Sequence, residues 1–260
     1  MRSPHPADPK VALREGLPVS PHRWAIGLLG AATAVATLAA GAPGVALTPA
    51  QLFAQVSPSV WRVLSFDADG LLLGQGSGVV TLPGQLVTNC HVLARARRVQ
   101  VRRDTQGAPL PATLAMWDVQ RDLCQLQVPG LQAPVVSLAS AASAAVGQPA
   151  YAIGHPKGLD LTMSAGLVSS IRRNDAGQLL LIQTSAAISG GSSGGGLFDE
   201  QGQLMGLTTI ASVSGDAQNL NFAIPADWIR DLPRRHAAAR AAMAASAADT
   251  PAPPAAAASR

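Results

Sequence analysis

The 260-residue sequence is poor in charge, aromatic residues and cysteine, and each shortage narrows what the chain can do. Charged residues make up 13% and aromatic ones 3%. The net charge of +4 comes from scattered basic residues, with local pairs at Arg97-Arg98, Arg102-Arg103 and Arg172-Arg173. No basic stripe is interleaved with aromatics, so no nucleic-acid surface is expected and the pairs read as solvated surface. Two cysteines, Cys90 and Cys124, with no matching histidine pair are too few for a zinc site. No metal and no cofactor are expected. Strands alternating with long helical patterns are also lacking, which disfavours an α/β fold.

Long apolar runs are absent but for one. Trp24 to Ala40 carries no charge, follows a polar lead with Arg2, Lys10, Arg14 and Arg23, and precedes the small-x-small triplet Gly44-Val45-Ala46. That is the layout of a secretory signal peptide cleaved near Ala46, so residues 1–46 are read as signal peptide or signal anchor. The long lead leaves open an uncleaved anchor, the one case in which the chain would contact a membrane, or a mis-assigned start. The apolar run is at the short edge of what spans a bilayer. A buried Ala-rich helix suits these flanks less well. Export would make a disulfide chemically permissible.

TPAQLFAQV at 48–56 reads as a short amphipathic helix, with Thr48 as its cap and Pro49 in its first turn. From Val60 onward, short runs rich in Val, Leu and Ile are separated by Gly, Asp and Pro. VWRVLSF, LLLGQGSGVV, RVQVRR, CQLQV, AYAIG, LLLIQT and NFAIP are examples. Many short strands with frequent turns imply an all-β sandwich or barrel. The turn-rich segment 131–149 divides them into two small barrels side by side, over about 56–132 and about 145–225. A helix is expected after Pro225. The Ala/Pro-rich tail, 233–260, reads as helical and then disordered.

The stretch ISGGSSGGGLFDEQGQLMG, 188–206, is either a slack linker or a backbone folded tightly around one serine. Taken singly, His91 in LVTNCHVLA reads as a structural histidine, Asp122 in WDVQRDLCQLQV as a turn residue and Ser193 in GGSSGGG as a loop serine. Together they stand in the order His, Asp, Ser, one of the chain orders of a catalytic triad, each at the edge of a strand-like run. The chemistry needs all three. A serine hydroxyl becomes a nucleophile when an imidazole takes its proton, and the imidazole needs a carboxylate on its other nitrogen.

The segments TNCHV, DLCQLQV, AYAIGHPKGL, SAGLVSSIRR, IQTSAAISGGSSGGGLFDEQGQLMGL and NLNFAIP resemble the successive signatures of trypsin-like serine proteases, specifically the bacterial HtrA/DegP type, over roughly residues 55–230. The resemblance implies a chymotrypsin-like pair of six-stranded β-barrels within a protease domain at 47–232, with the site in the cleft between them. It implies His91 as base, Asp122 as orienter and Ser193 as nucleophile, since Gly191-Ser192-Ser193-Gly194-Gly195 matches the family's Gly-x-Ser-Gly-Gly. The backbone N–H groups of Gly191 and Ser193 would form the oxyanion hole, and polypeptides would be the substrates, in the periplasm or outside the cell.

Departures matter. Ser192 stands where digestive proteases carry Asp, so no zymogen switch of the trypsin kind is expected. Gly190 replaces a larger residue and is expected to loosen the loop, letting the oxyanion hole collapse without substrate. Ala187, six residues before Ser193, argues against cleavage after Arg or Lys. With Thr208, Thr209, Ile210 and Asn221 it suggests a small or medium apolar residue on the acyl side of the cut. No PDZ segment follows the helix after Trp228, so capture of substrates through one cannot be carried over.

With His91 and Asp122 in contact, Cys90 and Cys124 would be drawn together. Asp122 and Cys124 are placed on one strand face, and a Cys90–Cys124 disulfide is expected, two buried thiols being the alternative. His155 in IGHPKG reads as structural; His5, His22 and His236 fall in disordered or peripheral segments. A serine endopeptidase is thus weighed against a silent peptide-binding protease fold. An esterase is disfavoured because the serine lacks the Gly-x-Ser-x-Gly setting of α/β hydrolases.

Overall fold

The computed structural model describes residues 46–140, 143–209 and 220–248. The Gly44-Val45 part of the cleavage triplet, the apolar run, His5, His22, Ile210 and the tail beyond Ala248 lie outside these residues.

Helix α1, Pro49–Val56, opens the described chain. The Thr48 side chain accepts the Gln51 N–H at 3.3 Å and the Gln51 side chain accepts the Thr48 N–H at 3.0 Å, a reciprocal cap that pairs two donors the helix cannot satisfy itself. Six strands follow: β1 Val60–Phe66, β2 Leu72–Leu82, β3 Gln85–Thr88, β4 Arg98–Arg102, β5 Leu110–Asp118 and β6 Leu123–Gln127. They close in the order β1-β2-β3-β6-β5-β4. Six more, β7 Pro149–Gly154, β8 Thr162–Arg173, β9 Leu179–Thr184, β10 Gly196–Phe198, β11 Leu204–Thr209 and β12 Asn221–Pro225, close in the order β10-β11-β12-β9-β8-β7. Helix α2, Asp227–Ala248, completes the expected architecture of two six-stranded barrels with a helix before and a helix after.

Closure removes the open sheet edges that short strands would otherwise present. Val63, Val80, Leu86, Val101 and Leu126 fill the first barrel; Ala150, Val168, Ile182, Leu197 and Ala223 fill the second. A third cluster joins them. Val60, Val79, Val87 and Leu123 of the first barrel pack with Ile153, Phe198, Leu204, Leu207 and Ile224 of the second, sealed by Leu52 of α1 and Leu232 of α2. Each such fully buried side chain contributes about 1.5–3 kcal/mol, so the barrels are held as one body and the seam between them is fixed.

Helix α2 ties back to the first barrel through charge. Arg235 pairs with the buried Asp118, and Arg121 bonds Asp231 at 2.7 Å while its guanidinium lies 4.7 Å from the Trp228 ring centre. His236, expected to be peripheral, instead stacks edge-on against Trp117 with centroids 4.1 Å apart, and its Nδ1 accepts the Trp117 N–H at 3.4 Å. These contacts brace the turn that carries Asp122.

Candidate active site

Three segments meet at the seam. The first is a 3₁₀ turn, Cys90–Leu93, which follows β3 and presents His91. The second is the residue just before β6: Asp122 has φ 53° and ψ 36°, a left-handed conformation that Asp tolerates better than most residues. This corrects the expected placement of Asp122 on a strand face with Cys124. The strand starts at Leu123, so the alternation of side chains does not reach Asp122.

Pairing of Thr88 with Cys124 across β3 and β6, together with the Cys90 N–H donated to the Asp122 C=O at 3.2 Å, brings the cysteines together. They form the expected disulfide, with Cα atoms 5.0 Å apart. Asn89 Nδ2 donates to the same Asp122 carbonyl at 3.0 Å.

The Asp122 carboxylate holds His91 twice. One oxygen accepts the His91 backbone N–H at 2.8 Å; the other lies 2.7 Å from the ring Nδ1. A carboxylate is acceptor-only when ionised, so this bond puts the ring proton on Nδ1 and leaves Nε2 as the acceptor. Thr209 Oγ1 donates to the same carboxylate at 3.5 Å.

The third segment is the loop 189–195, and most of its carbonyls are hydrogen-bonded. The Gly190 C=O accepts from Lys157 N–H at 2.6 Å, the Gly191 C=O from Ser77 Oγ at 2.9 Å, and the Ser193 C=O from Ser77 N–H at 2.8 Å. The Ser192 C=O accepts from Thr208 Oγ1 at 2.6 Å and Gly195 N–H at 2.9 Å. Ser192 N–H donates to Ser189 C=O and Gly194 N–H to Thr208 C=O. Four donors, the N–H groups of Ser189, Gly190, Gly191 and Ser193, find no acceptor among the described residues, and of these Gly191 and Ser193 lie on the same cleft as His91. The carbonyl of Gly190, the residue expected to loosen the loop, is held by the 156–158 turn.

Glycine is needed at two points. Gly191 has φ 93°, and a Cβ there would lie 2.6 Å from the His155 carbonyl. Gly194 has φ 83°, and a Cβ there would collide with the Ser77 carbonyl.

Ser193 is 3% exposed, and its Oγ makes no hydrogen bond among the described residues. It opens with His91 and Gly191 onto a cleft of about 520 Å³ whose far wall is Leu73, Gly74, Gln75 and Arg95. On the loop's other side lies a cavity of about 130 Å³ lined by Ala187, Ser189, Ser192, Thr208, Thr162 and Ser164. Of the expected pocket residues, Ala187 and Thr208 line this cavity. Thr209 and Asn221 do not: Thr209 reaches Asp122, and Asn221 Oδ1 accepts the Ile188 N–H at 3.3 Å. The sequence reading missed Ser77, Asn89 and Lys157, whose contacts are all distant in the chain.

His155 is 1% exposed beneath the loop; its N–H donates to Ser77 Oγ at 2.9 Å and its Nε2 faces the Arg103 carbonyl at 3.2 Å. Burial pushes its pKa from 6.5 down to about 4; Arg62 works the same way, while the Arg103 carbonyl, Asp160 and Asp104 oppose it. Below pH 6.5 the unfolded chain takes a proton that the fold refuses, so stability falls as pH drops from 6.5 to about 4 and then levels off. A drop of that size corresponds to about 3 kcal/mol. Urea unfolding at pH 7.5, 6, 5 and 4 is expected to show this slope in the wild type and a flatter one in His155→Gln. Equal slopes would mean that His155 charges freely in the fold.

The chain matches the trypsin-like peptidase domain family over residues 76–207. It is 34% identical over 202 residues to the chloroplastic Protease Do-like 1 of Arabidopsis thaliana, covering 70% of this chain and 46% of that protein. It is also 34% identical to the serine endoprotease DegS of Haemophilus influenzae, covering 62% of this chain and 49% of that one. To a probable periplasmic DegP-like serine endoprotease of Pseudomonas putida it is 38% identical, with 60% and 34% covered. It thus spans about a third to a half of the length of these relatives. Among solved structures it resembles the HtrA-type protease AlgW with tripeptide, at a TM-score of 0.61 and 33% identity, covering 69% of this chain and 60% of that one. The serine endoprotease from Yersinia pestis gives a TM-score of 0.62 at 28% identity, with 72% and 65% covered. The barrels, the seam and the matched span agree: the chain belongs to the trypsin-like peptidase family, in its chymotrypsin-like, HtrA-type form.

Proposed function

We propose that this chain is an exported serine endopeptidase in which Ser193 attacks the peptide carbonyl, His91 moves the proton and Asp122 orients His91. The observation that carries the reading is one cleft lined by a carboxylate-bound imidazole, by Ser193 and by Gly191, with the N–H groups of Gly191 and Ser193 uncommitted. In acylation the Ser193 Oγ bonds to the carbonyl carbon and its proton passes to His91 Nε2. The carbonyl electrons collect on oxygen, where the two N–H groups stabilise them. His91 returns the proton to the departing amine. Water then repeats the sequence against the acyl-enzyme and frees Ser193.

The small cavity beside Ala187, with no carboxylate in its lining, favours small or medium apolar side chains on the acyl side of the cut; a cation would be desolvated there without a partner. The periplasmic DegP-like relatives favour export and a role in envelope protein quality control or processing. On this reading residues 1–46 direct export and 47–232 form the protease domain, while α2 runs on past 232 and packs on the first barrel through Arg235 and His236. Among the described residues no helix is long and apolar enough to cross a membrane.

A second reading, a protease fold that binds peptide without cutting, draws on the missing hydrogen bond between Ser193 Oγ and His91. Such bonds are often long in the free enzyme and tighten with substrate, so the first reading stands ahead. Intact-mass analysis after a fluorophosphonate decides. One adduct on the wild type, absent from Ser193→Ala, is expected; a folded wild type without an adduct would put the binding module first.

A further inference from the structure

We propose that Ser77 is a positioning residue for the oxyanion hole, supplied by the first barrel to the nucleophile loop of the second. Ser77 is fully buried in β2 and uses every polar group it has. Its Oγ–H donates to the Gly191 C=O at 2.9 Å, its Oγ accepts the His155 N–H at 2.9 Å, its N–H donates to the Ser193 C=O at 2.8 Å, and its C=O accepts from Thr88 Oγ1 at 2.7 Å.

The geometry gives these bonds a direction. The hydroxyl sets the tilt of the Gly191–Ser192 peptide, which links the two donor-bearing peptide units. The backbone N–H fixes the Ser193 carbonyl just beyond the second donor. Ser77 thus grips the loop on both sides of the Ser193 N–H. His155 N–H in turn fixes the Oγ lone pair, so that the hydroxyl hydrogen points at Gly191. Alanine at 77 would keep the grip on Ser193 and remove the one on Gly191, leaving a buried carbonyl and a buried N–H unpaired. The donor of Gly191 would lose its aim while Ser193, His91 and Asp122 kept theirs.

This inference rests on the hydrolase reading, and its test separates the two. Ser77→Ala and Ser77→Gly both lack the hydroxyl and are measured side by side, so that either one folding suffices; Ser77→Thr keeps it. Kinetics on a peptide ester or amide are normalised to Ser193 sites titrated with fluorophosphonate. Deleting an oxyanion donor outright costs about 10²–10³ in rate, and mis-aiming one is expected to cost less, about 10–100-fold in kcat with KM within about twofold. Ser77→Thr is expected to recover most of the loss. Hydrogen exchange is expected to be at least about tenfold faster over residues 190–195 in the hydroxyl-less variants, and unchanged around His91 and Asp122. A kcat per titrated site within about twofold of wild type, a threonine variant as slow as alanine, or unchanged exchange at 190–195 would overturn the role of Ser77. A wild type that takes no fluorophosphonate would overturn the hydrolase reading instead, and the exchange measurement would then decide whether Ser77 holds the loop.

Discussion

Asp122→Asn is expected to lower kcat about 10⁴-fold and His91→Ala about 10⁶-fold, with little change in KM or in the unfolding temperature. The asymmetry follows from the two bonds the carboxylate makes. One oxygen holds the His91 N–H at 2.8 Å and the other faces Nδ1 at 2.7 Å. An asparagine has one acceptor and one donor for these two positions. If its oxygen keeps the backbone N–H, its NH₂ faces the ring and makes Nδ1 the acceptor. The ring proton then sits on Nε2, the atom that takes the proton of Ser193 in the proposed mechanism. Geometry survives and the tautomer is wrong. Removing the imidazole altogether leaves no base, and only binding and the two free N–H groups remain to assist. The check is kcat per protein whose fold is verified by circular dichroism and melting. An Asp122→Asn enzyme with more than about a tenth of wild-type kcat would mean that the carboxylate does not set the tautomer.

The site was legible in the sequence where its signals are local, and only there. His91, Asp122 and Ser193 each sit inside a short motif, and glycines flanking Ser193 mark a loop that must turn sharply. The closed barrels followed from short apolar runs with frequent turns. What could not be read is set by contacts between residues far apart in the chain. Thr209 looked like a pocket wall, yet its hydroxyl lies 3.5 Å from Asp122, 87 positions away. Asn221 turned inward to the Ile188 N–H rather than towards the cavity. The run DLCQLQV reads as a strand that begins at Asp122, and nothing in its composition marks the left-handed residue before Leu123. Ser77 did leave a trace. A serine flanked by Gly76 and Gly78 within a strand signals another backbone passing close by, and that backbone is the loop carrying Ser193.

Replacing both Cys90 and Cys124 with serine is expected to destabilise the protein by about 4 kcal/mol. The bridge closes a loop over a sequence separation of 34. The chain-entropy relation for a loop of that length gives roughly this figure. For a domain of this size that corresponds to a melting point lower by about 8–16 °C. Activity is expected to respond far less, because the bridge is not what aims the imidazole. Cys90 N–H and Asn89 Nδ2 both donate to the Asp122 carbonyl, and Asp122 itself grips His91, so the base and its carboxylate remain joined by four hydrogen bonds when the sulfurs part. The double variant is therefore expected to keep kcat within about tenfold at 25 °C while melting early. Calorimetry and kinetics on the same preparation test both halves. The variant is a cleaner route than a reductant, since the Cys124 end of the bridge is only 3% exposed. A melting point within about 2 °C of wild type would mean that the unfolded chain is already compact around this loop. A collapse of kcat in a folded variant would mean that the bridge, rather than the hydrogen bonds, sets the distance between His91 and Asp122.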